Sequence, residues 1–253
     1  MRISKIHPRY KSLRIRELLV KGVKDGVVVR EGLLAHGRGE AFDYLMGERT
    51  SKAAERAIEA SAAALLTAKS PVLSVNGNTA ALVPQEVSRL AKAIPAKVEV
   101  NLFHRSLERE KRIAMILKKN GVREVLGVGG SASEKFPGIS SRRRMVDPGG
   151  IGSADVIVVP LEDGDRAEAL SRAGKTVVAV DLNPLSRTSR TASITIVDNI
   201  VRAFPRLLKE IQRLKSSRKS QLRRIVSRFD NKKNLAMAVD EMMDYLDGWR
   251  GKA

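Results

Sequence analysis

Thr176-Val177-Val178-Ala179-Val180-Asp181-Leu182-Asn183-Pro184-Leu185-Ser186-Arg187-Thr188-Ser189-Arg190-Thr191-Ala192-Ser193-Ile194-Thr195-Ile196-Val197-Asp198-Asn199 decides the fold. The run Val177-Val178-Ala179-Val180 is apolar and mostly β-branched, and so predicts a buried strand. A second short strand, Ile194-Thr195-Ile196-Val197, delivers Asp198 and Asn199. Between them lies a loop carrying acidic, amide, hydroxyl and guanidinium groups. In an open α/β sheet, ligands sit in the crevice beyond the carboxyl ends of the strands. Asp181 and Asn183 have the donors and acceptors to read a ribose or a base edge. Arg187 and the neighbouring hydroxyls suit phosphate oxygens. A strand-to-strand loop with Asn and Pro in its turns is the plainer alternative.

Upstream, the same alternation recurs. Strands are expected at residues 72–75, 98–100, 125–128 and 156–159, and helices at 84–94, 106–119 and 164–173. Strands that alternate with helices of this length imply a parallel sheet with crossover connections. The fold class is α/β: a Rossmann-like parallel sheet with helices on both faces, an N-terminal helical cap and a C-terminal helical tail. Residues 1–69 form the cap, with a helix from Ser12 as N-cap and an Ala-rich helix capped by Thr50 or Ser51. Residues 70–200 form the core and 201–253 the tail, the whole being one compact unit. Gly37 and Gly39 flank Arg38, where the backbone can bend and the guanidinium is uncrowded.

The 253 residues carry 47 Lys and Arg against 28 Asp and Glu, a formal charge of +19. Anionic partners are therefore favoured, whether nucleic acid, a membrane surface or phosphorylated small molecules. Much of the excess lies in residues 209–224, with smaller clusters at 142–144 and 105–112. With five Phe, three Tyr and one Trp, a stacking platform for single-stranded nucleic acid is missing. There is no cysteine, which excludes disulfides and thiolate chemistry, and three scattered histidines give no zinc site, so no metal ligands are assigned. No apolar stretch approaches the roughly 20 residues of a membrane span. The first five residues lack an apolar signal core, and the cytoplasm is the expected location.

The strand exits resemble one another. Val75 leads to Asn76-Gly77-Asn78-Thr79, Val100 to Asn101, Val128 to Gly129-Gly130-Ser131, and Val180 to Asp181-Leu182-Asn183. Parallel strands place all four on one edge, where glycines let a phosphate approach backbone N–H groups. His104, Arg105 and Arg109 overlook that edge. Residues 127–132 fit G-x-G-x-x-A, but a helix does not follow directly, because Pro137, Gly138 and Asp147-Pro148-Gly149-Gly150 break the segment. The Walker A pattern is absent. A nicotinamide oxidoreductase is thereby disfavoured, and a nucleic-acid binder leaves Asp181, Asn183 and Asp198 unexplained.

Several long strings carry a family likeness: His7-Pro8-Arg9-Tyr10, Leu34 through Leu45, Ser74 through Pro84, Val159 through Arg166, Asp181 through Arg187 and Val197-Asp198-Asn199. Together they resemble the archaeal phosphopantothenate synthetase (4-phosphopantoate–β-alanine ligase) family over nearly the whole chain. The chain departs from the pattern mainly in the basic loop 140–145 and after Leu208. The resemblance implies a homodimeric enzyme of coenzyme A synthesis. Such an enzyme uses ATP to join 4-phosphopantoate to β-alanine, releasing AMP and diphosphate; because both anions repel, Mg²⁺ is expected beside Arg16, Arg38 and Arg187, and an acyl adenylate is the expected intermediate. Family ATP contacts carry over to Arg16, Arg38, Asp181, Leu182, Asn183, Arg187, Thr188, Asn199 and Ile200, and Asp198 joins them as the end of the second strand. Asn76, Gly77, Asn78, Asn101, Arg105 and Arg109 are expected to grip phosphopantoate. Arg38, His36 and His104 are the candidate catalytic residues. His36, His104 or a carboxylate such as Asp43 could take the proton of the amine, and the sequence does not choose among them.

Overall fold

The computed structural model describes residues 4, 6, 7 and 9–250. Pro8 of the family string, and all but Ser4 of the first five residues, lie outside the described residues. Five parallel strands form the sheet, in the order β2-β1-β5-β6-β7. They are β1 (Pro71–Val75), β2 (Lys97–Val100), β5 (Val156–Pro160), β6 (Thr176–Val180) and β7 (Ile194–Ile196). Two two-residue strands, β3 (Glu134–Lys135) and β4 (Met145–Val146), pair antiparallel outside it.

Alternation along each strand divides the core into two layers. Leu73, Val75, Val158, Val178 and Val180 face one cluster, and Val72, Ile157, Val159, Val177 and Ala179 face the other. The first layer is closed by α3 (Lys52–Thr67), α5 (Pro84–Ala93) and α9 (Ile200–Leu214), through residues such as Ala57, Leu90 and Phe204. The second is closed by α7 (Gly164–Arg172) together with Phe136, Ile139 and Ile151. Strands buried on both faces read as unbroken apolar runs, which is why the sequence shows them clearly.

The N-terminal quarter is helical: α1 (Tyr10–Lys24), α2 (Arg30–Leu45) and α3. Ser51 caps α3, its hydroxyl accepting from the Ala54 N–H at 3.0 Å. The tail, α10 (Lys219–Arg228) and α11 (Asn231–Arg250), packs on α3. Basic charge on α9 is also paired on α3, as in Arg213 with Glu59 at 2.9 Å and Arg206 with Glu55 at 3.3 Å.

Four local expectations are corrected. First, α1 begins at Tyr10; Ser12 lies inside it and donates to the Arg9 carbonyl rather than capping. Second, the run 125–128 is not a strand: only Leu126 bridges Glu99, because Gly127, at φ +76°, turns the chain so closely against Val100 that no side chain would fit. Third, residues 76–79 are not a loop but the start of α4 (Gly77–Leu82), capped by the Asn76 carboxamide oxygen accepting from Thr79 N–H at 2.9 Å. Fourth, the polar stretch after Asn183 contains α8 (Arg187–Thr191), capped by Ser186.

Glu99 on β2 is wholly buried and accepts from the Asp147 and Ile151 N–H groups at 3.1 and 2.6 Å, holding the 147–152 turn against the sheet. Burial pushes its carboxyl up to about 7, against those hydrogen bonds and the Arg166 charge. A carboxyl raised in the fold contributes stability below the unfolded-state value and loses it as pH rises through about 7. Wild-type stability should therefore carry a decline of about 3 kcal/mol from this group between pH 4.5 and 8. Urea midpoints of Glu99→Gln, compared with wild type at several pH values, should show that component removed.

Candidate active site

The carboxyl ends of β1, β5 and β6 converge beneath α2. The chain runs outward from β1 to β2 and then returns to place β5 on the other side of β1. The gap between β1 and β5 is therefore a topological switch point, the place where such sheets bind ligands. A cavity of about 330 Å³ opens there, lined by Asn76, Gly77 and Asn78 from the β1 exit, Leu161 and Asp163 from the β5 exit, and His104, Arg109 and Arg143. A second cleft, of about 440 Å³, lies over β6 and is lined by Arg38, Asp181, Asn183, Ser186, Arg187 and Thr188. The two share Ala35, Leu161 and Asp163. They adjoin at the exit of the central strand.

That exit is held by an ion cluster. Glu162 pairs with both Arg143 and Arg166, and all three side chains are nearly inaccessible. Burial pushes each guanidinium down to about 10, although neighbouring carboxylates act in the opposite direction. Arg166 also donates to the Ser74 hydroxyl on β1 at 3.2 Å, and Thr188 donates to the Glu162 carbonyl at 2.8 Å. Leu161 occupies a left-handed conformation, φ +49°, which is strained for a side chain of this size. The Asn76 carboxamide holds it by donating to the Pro160 and Leu161 carbonyls at 2.9 and 3.2 Å.

In the β6 cleft the Asp181 carboxylate accepts from Asn183 N–H at 3.0 Å and from the Ser186 hydroxyl at 2.6 Å. Burial pushes its carboxyl above the usual range, while those hydrogen bonds and the Arg38 charge oppose the shift. Arg38 is exposed on α2 and free to swing toward an anion.

A model of the phosphopantothenate/pantothenate synthetase family matches residues 53–245. The chain belongs to this family. Among its relatives are proteins named 4-phosphopantoate–β-alanine ligase. The one from Thermococcus kodakarensis is 52% identical over 96% of this chain and 93% of its own length. That from Thermococcus onnurineus is 53% identical over 97% and 94%. A third, from Methanosarcina mazei, is 50% identical over 95% and 94%.

Within this family member, the residues expected from the sequence fall into three groups. Arg38, Asp181, Asn183, Arg187 and Thr188 line one cleft, while Asn76, Gly77, Asn78, His104 and Arg109 line the other. The remainder line neither. Asn101 is fully buried and donates to the Arg143 and Met145 carbonyls at 3.2 and 3.1 Å. Arg105 pairs with Glu110 at 2.5 Å and donates to the Met145 and Gly127 carbonyls. Both fasten the 143–145 loop.

Leu182 is buried against Gly39. His36 is buried on the inner side of α2 with neither ring nitrogen hydrogen-bonded, and burial pushes its imidazole below the usual value. Arg16 pairs with Glu40 at 3.2 Å. Asp43, Asp198 and Asn199 form a network with Arg202, which meets Asp43 at 2.5 Å and Asp198 at 2.6 Å. Asn199, Asp43 and Glu40 border a separate cavity of about 760 Å³. Ile200 is buried at the start of α9.

Sequence reasoning assigned no role to Leu161, Glu162, Asp163 or Arg143. The signal was present, since Pro160 leads to Glu162 and Asp163 much as Val180 leads to Asp181. Arg143, however, was visible only as one of three consecutive arginines. Removing the shared charge with Glu162→Gln leaves Arg166 without its paired anion and Arg143 with Asp163 alone. The variant should lose roughly 3–5 kcal/mol of stability, read by urea unfolding, whereas Arg142→Ala, one residue along on an exposed side chain, should lose under about 0.5 kcal/mol.

Proposed function

We propose that this chain is an ATP-dependent, AMP-forming ligase that joins the carboxylate of 4-phosphopantoate to the amine of β-alanine; its relatives are named for a ligase of these two substrates. The observation that carries it to this molecule is the pair of clefts meeting at Leu161 and Asp163, each lined with cationic and amide groups. Two polyanions brought that close repel strongly unless cations intervene.

The nucleotide occupies the cleft over β6. Asp181 and Asn183 face its ribose or base, and Arg38 and Arg187 face its phosphates. Phosphopantoate occupies the cleft between β1 and β5, with Arg109 and the start of α4 toward its phosphate. Its carboxylate then points across Asp163 at the α-phosphorus, forming the acyl adenylate and releasing diphosphate. Fixing both reactants in adjoining clefts, and placing guanidiniums where charge gathers, supplies most of the acceleration.

No group of three His, Asp or Glu side chains gathers for a metal ion among the described residues. Mg²⁺ fits as the companion of the ATP phosphates, where it offsets charge and needs at most one or two carboxylates from the protein. The assembly is a homodimer, with exposed Leu34, Phe103 and Leu107 near the phosphopantoate cleft as candidate buried surface.

An assay of AMP formation should show a signal only when ATP, 4-phosphopantoate and β-alanine are all present. Activity lacking a requirement for any one of them overturns the assignment. Arg38→Ala should raise the KM for ATP by about 10- to 100-fold, the loss of a charge-assisted contact, with an unchanged thermal melt.

A further inference from the structure

We propose that Asp163 receives the β-alanine ammonium at the junction of the two clefts and takes its protons during acyl transfer. This rests on the ligase assignment above and adds to it the amine site and the group that serves it.

Among the described residues, Asp163 is the one acidic residue that lines both clefts. Glu162 touches only the nucleotide side and is committed to two arginines, while Glu31 lies only on the other side. Asp163 occupies the N-cap position of α7, where an aspartate normally accepts from the helix N–H groups, yet it makes no such hydrogen bond. Its Oδ2 is shielded from solvent and accepts no hydrogen bond among the described residues. The nearest cation is Arg143 Nε at 3.1 Å, poorly aligned, so that atom is also left without a hydrogen-bond partner. With Oδ2 shielded, the exposure of the side chain (36% relative) falls on its other atoms, so a small cation reaches the carboxylate from the Oδ1 side. Strained backbone at Leu161, clamped by Asn76, sets the direction of the residues that follow.

None of the other candidate bases stands at the junction. His36 and Asp43 line neither cleft, and His104 lines only that of phosphopantoate.

The step balances as follows. The ammonium of β-alanine gives one proton to the Asp163 carboxylate, which passes it to solvent. The freed nitrogen lone pair attacks the acyl carbon, forming the C–N bond. The bond from that carbon to the phosphate oxygen breaks, and its electron pair departs on AMP. A second nitrogen proton leaves by the same carboxylate, giving the amide.

Asp163→Asn keeps the shape and removes the proton acceptor. Three readouts separate the possibilities: ATP–diphosphate exchange dependent on phosphopantoate, AMP formation dependent on β-alanine, and trapping of the adenylate by hydroxylamine. Hydroxylamine is a neutral nucleophile near pH 7.5 and needs no base. The expected result is exchange and trapping within about twofold of wild type, with the β-alanine reaction lowered about 100-fold or more. Asp163→Glu, which restores a carboxylate, should recover part of that loss.

A β-alanine kcat/KM within about twofold of wild type in Asp163→Asn overturns the proposal. Loss of exchange and trapping together with amide formation also overturns it, because Asp163 would then serve the nucleotide or the fold. If wild-type protein forms no AMP that depends on both phosphopantoate and β-alanine, the ligase assignment fails as well, and that result is distinguishable from the other two.

Discussion

Two arginines share one glutamate at the end of the central strand, and the arrangement of both clefts follows from that contact. Arg166 comes from α7, Glu162 from the β5 exit and Arg143 from a loop on the far side of the site. Water is excluded from all three, so each charge depends on the others for compensation. The chain consequently cannot relax its turn after Pro160 without exposing an uncompensated ion. Leu161 is held in its left-handed conformation by this constraint and by the Asn76 carboxamide. The two clefts then meet at a fixed residue, as the proposed reaction between two bound anions requires.

Helix α2 is the second organising element, and an unusual one. Its buried positions are His36, Glu40 and Asp43, a polar stripe at helical spacing where an apolar one is customary. The stripe's two carboxylates are compensated by Arg16, Tyr44, Asn199 and Arg202, which reach them from α1, from α2 itself and from the start of α9. Arg38 and Ala35 on the same helix lie on the cleft side. One helix therefore seals the network that holds Asp198 and Asn199 and also lines the space over β6. This explains why the nucleotide set expected from the sequence divides in two, with Arg38 and Asp181 on one side and Arg16 and Asn199 on the other.

The strands were legible because a doubly covered parallel sheet demands continuous β-branched runs, and residues 72–75, 156–159 and 177–180 supply them. Where sequence reasoning failed, a competing local interaction won. Val125 through Val128 has strand composition, but Gly127 must turn tightly over Val100 and the run ends after a single bridge. Asn76 and Gly77 look like turn residues, and indeed the chain turns there, yet the Asn76 side chain caps a helix. Asn101 and Arg105 are polar and sit at a strand exit, as ligand-binding residues would. Backbone carbonyls in the 143–145 loop and Gly127 use up their donors, and no linear pattern reveals that.

Sequence alone determined the five strands of the sheet, their shared carboxyl edge and many of the polar groups along it, because apolar periodicity and strand polarity are local properties. Only the tertiary structure decided which of those groups face a cleft and which serve the fold. It also brought Arg143, Glu162 and Asp163 to one place, since ion pairing across 19 and 20 residues is settled by packing around the central strand and not by spacing along the chain.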